Sequence, residues 1–201
     1  MSKVVMFESV TLDGVMQAPG RPDEDTRGGF PHGGWATPYA DEAIGRKAAE
    51  RAGTTRALLL GRRTYQDFHG FWPRQTDNPF TDLLNRTQKY VASTTLQEPL
   101  PWENSTLLEG DPADAVAALR DEPGGDLVAL GSGELVRSLI RRGLVDEFVL
   151  LIHPLTLGTG RRLFDDGLRP STLRLVTTET TTTGVVIATY AASDGSGHPP
   201  S

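Results

Sequence analysis

The sequence of 201 residues contains no cysteine. This absence excludes a disulfide framework, a cysteine-ligated zinc or iron–sulfur site and a cysteine nucleophile. The four histidines (His32, His69, His153 and His198) are scattered, without the spacing of metal ligands. No apolar run approaches the roughly 20 residues that a membrane-spanning helix needs, and the first residues show no signal-type apolar stretch. We therefore expect a soluble cytoplasmic protein that binds neither a metal nor a membrane.

Basic residues are outnumbered by acidic ones. The 20 Lys and Arg residues against 26 Asp and Glu residues give a formal net charge of -6. Such a chain is a poor candidate for general nucleic-acid binding, although a local basic pocket remains possible. Apolar residues make up 37% of the sequence and Gly contributes 22 residues, which is enough for one buried core. We predict a single domain over residues 1–191 and a disordered tail over residues 192–201.

Short apolar runs alternate with helical patterns along the chain. The predicted strands are residues 3–11, 56–60, 88–92, 105–108, 126–130, 147–152, 173–181 and 185–191. The predicted helices are residues 38–52, capped by Thr37, 62–68, 112–122, capped by Asp111, and 134–142. A long irregular segment, residues 12–37, lies between the first strand and the first helix. Irregular segments of this length are usually functional or disordered. The alternation predicts an α/β fold with a mostly parallel sheet, helices on both faces and an antiparallel hairpin at its C-terminal edge.

Ligands of open α/β sheets bind beyond the carboxyl ends of the strands, and two such ends here lead directly into a helix. The first has the sequence LGRRT (residues 60–64), where the free N–H groups of a helix start and two arginines suit a phosphate. The second has the sequence LGSGEL (residues 130–135), where glycine lets a phosphate approach the backbone. The alternative for the first sequence is a plain turn with solvated arginines, and the alternative for the second is a tight turn between strand and helix. The full dinucleotide fingerprint fails, because Val136 holds its third glycine position.

A third strand end carries the hydroxyls of Ser93 and Thr94, which could hold a sugar or a phosphate or only cap a turn. Two anion sites together with hydroxyls at one edge of the sheet indicate a ligand with several phosphates, such as a dinucleotide. The pair of arginines favours a ligand with an additional 2′-phosphate. We therefore predict NADPH rather than NADH as the cofactor.

Five motifs resemble those of the dihydrofolate reductase-like superfamily and occur in the same order. They are SVTLDGV (residues 9–15), LGRRTY (60–65), AST (92–94), LGSG (130–133) and PLTLGTGRRLF (154–164). The last motif is the most specific and is similar to the branch that contains the reductase domain of the bifunctional riboflavin-biosynthesis deaminase/reductase. The segments QAPG (17–20) and GFPHGGW (29–35) are similar to stand-alone bacterial members of that branch.

The resemblance implies a three-layer dihydrofolate reductase-like fold on an eight-stranded sheet. It also implies NADPH-dependent hydride transfer to a pterin- or riboflavin-precursor-like heterocycle, as in 5-amino-6-(5-phosphoribosylamino)uracil reductase. Members of the family are often homodimers, so a homodimer is a further expectation.

Site residues carry over only where the motifs match. The residues implied to hold the cofactor's phosphates are Gly61, Arg62, Arg63 and Thr64, with Gly131, Ser132, Gly133, Glu134 and Leu135 at the pyrophosphate. Ser93 and Thr94 would line the adenosine end. Residues 15–18, from Val15 to Ala18, would border the nicotinamide with main-chain groups.

Hydride transfer also needs a proton, and Asp13 and Asp41 are the candidate acids. Asp41 and its neighbour Glu42 fall near the region of the helix carboxylate of folate-reducing members, but the surrounding residues do not match. Asp13 could instead form a turn, and Asp41 could complement the positive end of a helix. Trp35 and Tyr39 are candidate substrate contacts, with Trp35 either an aromatic wall for a flat heterocycle or loop packing.

A non-catalytic nucleotide-binding module that keeps the fold is the alternative function. A hydrolase has little support, because the sequence has no Gly-x-Ser-x-Gly elbow and no cluster of metal ligands.

Overall fold

The computed structural model describes residues 1–76 and 78–193. Its strands are β1 (Val4–Thr11), β2 (Thr55–Gly61), β3 (Gln88–Ala92), β4 (Ser105–Leu107), β5 (Asp126–Leu130), β6 (Glu147–His153), β7 (Leu173–Thr180) and β8 (Val186–Ala192). Its α-helices are α1 (Glu42–Thr54), α2 (Arg62–Phe71), α3 (Pro79–Arg86), α4 (Pro112–Asp121) and α5 (Gly133–Arg141). Short 3-10 turns lie at Arg27–Gly29, Thr37–Tyr39 and Trp72–Arg74. None of the helices in this described part is long and apolar enough to cross a membrane.

The eight strands form one sheet in the order β4-β3-β2-β5-β1-β6-β8-β7. Strand β2 runs parallel to both β3 and β5, and β3 runs parallel to β4. Strand β8 runs antiparallel to β6 and to β7. The predicted fold class, a mostly parallel eight-stranded sheet with an antiparallel C-terminal edge, is confirmed.

The described chain groups into two compact units. Unit 1 comprises Met1–Val5 and Glu50–Leu144, and unit 2 comprises Met6–Ala49 and the described residues from Val145 onward. The single domain expected over residues 1–191 stays a prediction. The predicted tail begins too early by one residue, because Ala192 is the last residue of β8, and residues 194–201 lie outside the described residues.

Strands β2 and β5 of unit 1 are covered on both faces. Residues 57–60 of β2 and 127–129 of β5 are all buried, with no alternation along the strand. Parallel sheets covered on both sides have such continuous apolar strands. This is why short apolar runs that end at a glycine were sufficient to predict β2 and β5.

Helices α1 and α3 differ most from the sequence-based expectation, and α2 ends at Phe71 instead of the predicted residue 68. Helix α1 begins at Glu42 instead of residue 38, because the carboxylate of Asp41 accepts a hydrogen bond from the Ala43 N–H (2.8 Å) and residues 37–39 form a separate turn. Helix α3 was not predicted at all. The Asn78 side chain caps it by accepting from the Phe80 N–H (3.0 Å), and Pro79 is its first residue.

A fully buried lysine closes the other end of α3. The Lys89 Nζ donates to the backbone carbonyls of Leu84 (2.7 Å), Asn85 (3.1 Å) and Thr87 (2.6 Å), and it lies 4.6 Å from the centre of the Trp102 ring. These acceptors belong to the last turn of the helix and the residue after it, where carbonyls have no intrahelical partner. Burial lowers the pKa of Lys89 to about 8, so the ammonium form still predominates at pH 7.

The substitution Lys89→Met should lower the free energy of unfolding by about 2 kcal/mol. Hydrogen bonds from a charged donor contribute about 1.5–3 kcal/mol, and the methionine restores only the apolar packing. Urea unfolding at pH 7 measures the effect. The exposed Lys3→Met is the control and should change the free energy by less than about 0.5 kcal/mol; equal effects of the two substitutions would contradict the capping role.

Candidate functional site

The ends of β2 and β5 are joined at the first residues of the helices that follow them. The Gly61 N–H donates to the Ser132 Oγ (2.9 Å), and the Ser132 N–H donates to the Thr64 Oγ1 (3.0 Å). The Ser132 hydroxyl in turn donates to the Leu130 carbonyl (3.0 Å). The two corners that the sequence suggested separately are therefore direct neighbours in unit 1. We refer to residues 61–64 and 131–135 together as the double corner.

Small residues make this close approach possible. A Cβ atom at Gly131 would lie 3.2 Å from the Thr64 Cγ2, and Gly131 has a φ of +57°, in the region that favours glycine. Ser132 itself is left-handed, with a φ of +60°. A Cβ at Gly61 would lie 3.6 Å from the Ser132 Cβ, an ordinary contact distance. Glycine is thus favoured at position 131 by both its positive φ and the nearby Thr64 side chain, whereas position 61 has room for a methyl group.

Helices α2 and α5 both begin without a side-chain cap in the described structure. Helices α3 and α4 differ, because Asn78 and Asp111 accept hydrogen bonds from their first N–H groups. The predicted cap at Asp111 is confirmed. Uncapped first-turn N–H groups and the positive ends of two helix dipoles attract an anion. The carboxylate of Glu134 in the first turn of α5 acts against this attraction, so only the backbone of that residue suits an anion.

The end of β3 lies beside the double corner. Ala92, its last residue, pairs with Gly61. The Arg62 guanidinium donates to the Thr95 Oγ1 (2.7 Å), just beyond this strand. The Ser93 Oγ accepts from the N–H groups of residues 95 and 96 (3.1 and 2.9 Å). Ser93 therefore caps a turn, as one of the two alternatives for this residue predicted. Arg62 thus reaches across from one strand end to the next.

The remaining residues predicted to contact the cofactor differ in exposure. Arg63 and Thr94 are exposed, and the side chain of Leu135 is buried in unit 1. Leu135 therefore offers only its backbone to a ligand. The predicted roles of all these residues stay predictions.

In unit 2, the first candidate acid, Asp13, is occupied by hydrogen bonds. Its carboxylate accepts from the Thr11 hydroxyl (2.5 Å) and from the N–H groups of Leu157 (3.2 Å) and Gly158 (2.8 Å). The Thr11 hydroxyl is the largest cause that holds the pKa of Asp13 below its usual value; burial opposes it, and the N–H groups of Gly158 and Leu157 lower the pKa further. The geometry joins the LDG turn to the PLTLGTGRRLF motif and keeps the carboxylate ionised. Its role as an acid stays a prediction.

The second candidate acid, Asp41, has a similar environment. Besides capping α1, it accepts from the Thr182 hydroxyl (2.5 Å) and the Thr182 N–H (2.9 Å) in the turn between β7 and β8. The Thr182 hydroxyl is the largest cause that lowers the pKa of Asp41. The cap on α1 matches the alternative considered for Asp41, that it complements the positive end of a helix. Its catalytic role stays a prediction.

The buried amide of Gln17, which the sequence indicated only as part of the QAPG motif and of the range 15–18, organises residues 12–37. The Gln17 Nε2 donates to the carbonyls of Asp25 (3.0 Å) and Arg27 (2.9 Å), and its Oε1 accepts from the Arg161 N–H (3.0 Å). Its backbone carbonyl accepts from the Trp35 Nε1 (2.7 Å). Every polar group of the Gln17 side chain is therefore used to hold this long segment against the PLTLGTGRRLF motif.

The candidate substrate contacts Trp35 and Tyr39 meet around a histidine that the sequence did not identify. His153 is buried, and its ring centre lies 5.1 Å from that of Trp35 and 5.6 Å from that of Tyr39, both edge to face. Burial lowers the pKa of His153, so the neutral imidazole is favoured. Trp35 is 6% exposed and packs with Val15 and Ala18. This packing matches the second alternative considered for Trp35, in which it packs within the loop. A lone histidine at a strand end carries no sequence signal for such a cluster.

The hydroxyl of Thr64 should stabilise the double corner measurably. We expect Thr64→Val to lower the free energy of unfolding by about 1 kcal/mol, because the Ser132 N–H loses its acceptor. Thr64→Ser keeps the oxygen and is the matched control. Thermal or urea unfolding of the two variants measures the difference, and equal stability would show that this hydrogen bond contributes nothing.

The stabilisation from Asp13 should depend on pH. Because its folded pKa lies below the unfolded value of about 3.9, its contribution is present above that value and is lost as the pH falls through the folded pKa. Asp13→Asn should therefore be less stable than the wild type at pH 7, and the difference should close toward pH 3. Urea unfolding across this range measures it, with the exposed Asp166→Asn as control. A difference that does not change with pH would contradict the assignment.

Comparisons with known proteins agree with this architecture. The model of the RibD C-terminal domain family matches residues 2–187. The uncharacterised protein YyaP of Bacillus subtilis (strain 168) is 34% identical over 139 residues, which is 66% of this chain and 72% of that protein.

Solved structures share the fold at low sequence identity. A pyrimidine reductase-like protein from Corynebacterium diphtheriae superimposes with a TM-score of 0.68 at 13% identity, covering 96% of this chain and 92% of its own. Dihydrofolate reductase from Enterococcus faecalis, complexed with NADP(H), superimposes with a TM-score of 0.63 at 16% identity, covering 96% and 97%. Because the family model extends over nearly the whole sequence, the chain belongs to the RibD C-terminal domain family and has the dihydrofolate reductase-like fold.

Proposed function

We propose that this protein is a cytoplasmic NADPH-dependent reductase that transfers a hydride to a small heterocycle of the pterin or riboflavin-precursor class. The observation that carries the proposal is the double corner, in which two uncapped helix starts are held together by Gly61, Ser132 and Thr64. One such start is common in α/β proteins. Two joined starts bring two sets of uncapped N–H donors together, which suits the two phosphates of a pyrophosphate.

The residues present fit the chemistry of this cofactor. Gly61 and Gly131 carry no side chain, and a Cβ at either position would face the other corner, so the two glycines let the helix starts lie close together. In the proposal, the backbone N–H groups of residues 62–64 and 133–135 bind the pyrophosphate. The guanidinium of Arg62, held at the end of β3, binds the 2′-phosphate together with the neighbouring hydroxyls.

When bound, NADPH supplies the hydride, and the protein's task is to bind, orient and exclude water. Val15 and Ala18 are proposed to border the nicotinamide. Their side chains are buried in unit 2, so any such contact is made by the backbone. The Val15 N–H and carbonyl already hydrogen-bond to Thr11, which fixes this turn in place.

The proton is best assigned to water. Asp13 and Asp41 each accept several hydrogen bonds that favour the ionised carboxylate, and an ionised carboxylate has no proton to donate at neutral pH. In the proposal both residues position the loops of unit 2. Trp35 is too deeply buried to be an open aromatic wall, which leaves the half-buried Tyr39 as the more accessible of the two candidate substrate contacts.

The substitution Arg62→Ala should separate the two nicotinamide cofactors. We expect NADPH to bind about 10- to 100-fold more weakly, because a charge-assisted hydrogen bond contributes about 1.5–3 kcal/mol. NADH, which lacks the 2′-phosphate, should lose little. Isothermal titration calorimetry with both cofactors measures the difference.

The matched control is Arg86→Ala, which removes an exposed arginine of unit 1 shortly before β3 begins, at the opposite end of that strand. It should change neither affinity. An equal loss of NADPH and NADH affinity in Arg62→Ala would contradict the assignment of the 2′-phosphate.

A non-catalytic nucleotide-binding module is the second candidate function. The ionised state of Asp13 and Asp41 favours it, because neither predicted acid is free to donate a proton. Saturable NADPH binding without oxidation by any pterin, flavin precursor or quinone would support the module. Oxidation with one of these substrates would exclude it.

A further inference from the structure

The backbone at residues 17–19 uses its carbonyls but not its N–H groups. The three carbonyls all accept hydrogen bonds from residues 34–36, at 2.7–3.0 Å. In contrast, the N–H groups of Gln17 and Ala18 make no hydrogen bond to any residue that the structure describes. Both residues are buried, at 4% and 3% exposed.

A buried N–H group without a partner is rare, because its burial costs free energy comparable to a lost hydrogen bond. Native proteins satisfy such a group with other atoms of the chain, an ordered water or a ligand. The backbone is also strained at this point, since Ala18 has a φ of +50°, in the left-handed region that alanine rarely adopts. Strained residues of this kind cluster at ligand sites. The two donors therefore indicate a ligand that brings a hydrogen-bond acceptor to residues 17 and 18.

The Gln17 side chain ends the backbone pairing just before these two donors. Val15 and Arg162 form an antiparallel bridge, and the Met16 N–H donates to the Arg161 carbonyl (2.9 Å). In a regular ladder the Arg161 N–H would return this bond to the Met16 carbonyl. It donates instead to the Gln17 Oε1 (3.0 Å), so the pairing does not continue to residues 17 and 18.

The nitrogen of the same amide fixes the segment to a second part of the chain. The Gln17 Nε2 donates to the carbonyls of Asp25 (3.0 Å) and Arg27 (2.9 Å), and the Asp25 carboxylate binds the Arg27 guanidinium (2.7 and 2.5 Å). An amide whose oxygen and two N–H groups are all bonded has a single orientation. The backbone of residues 17 and 18 is therefore held in one position.

We propose that the Gln17 side chain is a positioning group, which holds residues 17 and 18 so that their N–H groups donate to the carboxamide oxygen of the nicotinamide. This inference rests on the function proposed above. It adds the two donors and the side chain that fixes them. The carboxamide oxygen has two lone pairs, so it accepts two hydrogen bonds. Donors on a fixed backbone orient the nicotinamide without the cost of ordering a flexible side chain.

Two variants of Gln17 test the positioning role. Gln17→Met keeps the length of the side chain and removes its hydrogen bonds. Gln17→Glu keeps an acceptor for the Arg161 N–H and places a carboxylate against the carbonyls of Asp25 and Arg27. Each should weaken NADPH binding about 10-fold in isothermal titration calorimetry, because the donors lose their fixed position. Binding of 2′-phospho-ADP-ribose, which lacks the nicotinamide, should change by less than about twofold.

The matched control is Gln88→Met at the start of β3. The Gln88 amide donates to the Lys89 carbonyl (3.2 Å) and the Thr106 hydroxyl (3.1 Å). The control makes the same chemical change away from residues 15–18 and should alter neither affinity. A merely structural role of Gln17 would weaken both ligands equally, through a smaller folded fraction, and circular dichroism of each variant measures that fraction.

Amide hydrogen exchange, followed by nuclear magnetic resonance, reports on the two donors directly. In the wild-type protein, saturating NADPH should slow exchange of the Gln17 and Ala18 N–H groups about 10-fold or more, because each gains an acceptor. Saturating 2′-phospho-ADP-ribose should leave the exchange of both groups unchanged.

NADPH binding without protection of these amides would overturn the inference, and so would equal protection by the two ligands. An equal loss of affinity for both ligands in Gln17→Met would reject the positioning role. Failure of the proposed function gives a different result, since a wild-type chain that binds neither ligand contradicts both proposals. A chain that binds both ligands with the same affinity overturns this inference alone.

Discussion

The Ser132 hydroxyl is the contact on which the candidate site depends. It accepts from the Gly61 N–H and so connects the end of β2 to the end of β5. The Ser132 N–H makes a second hydrogen bond between the two corners by donating to the Thr64 hydroxyl. Without these hydrogen bonds the two helix starts would be separate weak anion sites of the kind found in many α/β proteins. Joined, the two uncapped helix starts lie together beside the end of β3, where Arg62 contacts Thr95.

Unit 2 uses the same kind of contact for a different purpose. Its buried or half-buried polar side chains, Asp13, Gln17 and Asp41, each join a loop to a distant segment of the chain. Asp13 and Asp41 are also the two predicted acids. Their hydrogen bonds make both carboxylates acceptors. The chemistry proposed for this protein therefore rests on positioning, with the hydride from the cofactor and the proton from water.

The sequence predicted most of the fold because its signals are local. Strands β3 and β5 have the predicted bounds, and Asp111 caps α4 as expected. The predicted start of α1 was wrong because the chain has two residues that can cap a helix within five positions, Thr37 and Asp41. Asp41 caps α1, and its hydrogen bond with Thr182 favours this choice. No local pattern distinguishes these possibilities.

The site could be predicted only as a set of separate corners. Glycine-containing turns after apolar strands indicate where a ligand can approach, but the distance between the turns depends on strand order. The contact of His153 with Trp35 and Tyr39 joins residues more than 100 positions apart, beyond any spacing rule. The register shift within β7 likewise follows from pairing and has no signal in its Thr-rich sequence.

The central claim is that the two helix starts bind one cofactor together. The most direct measurement is a titration of the isotope-labelled protein with NADPH, followed by the backbone amide resonances. The N–H signals of residues 62–64 and 133–135 should shift together and saturate with a single dissociation constant. Shifts confined to one helix start, or two sets that saturate at different concentrations, would contradict it.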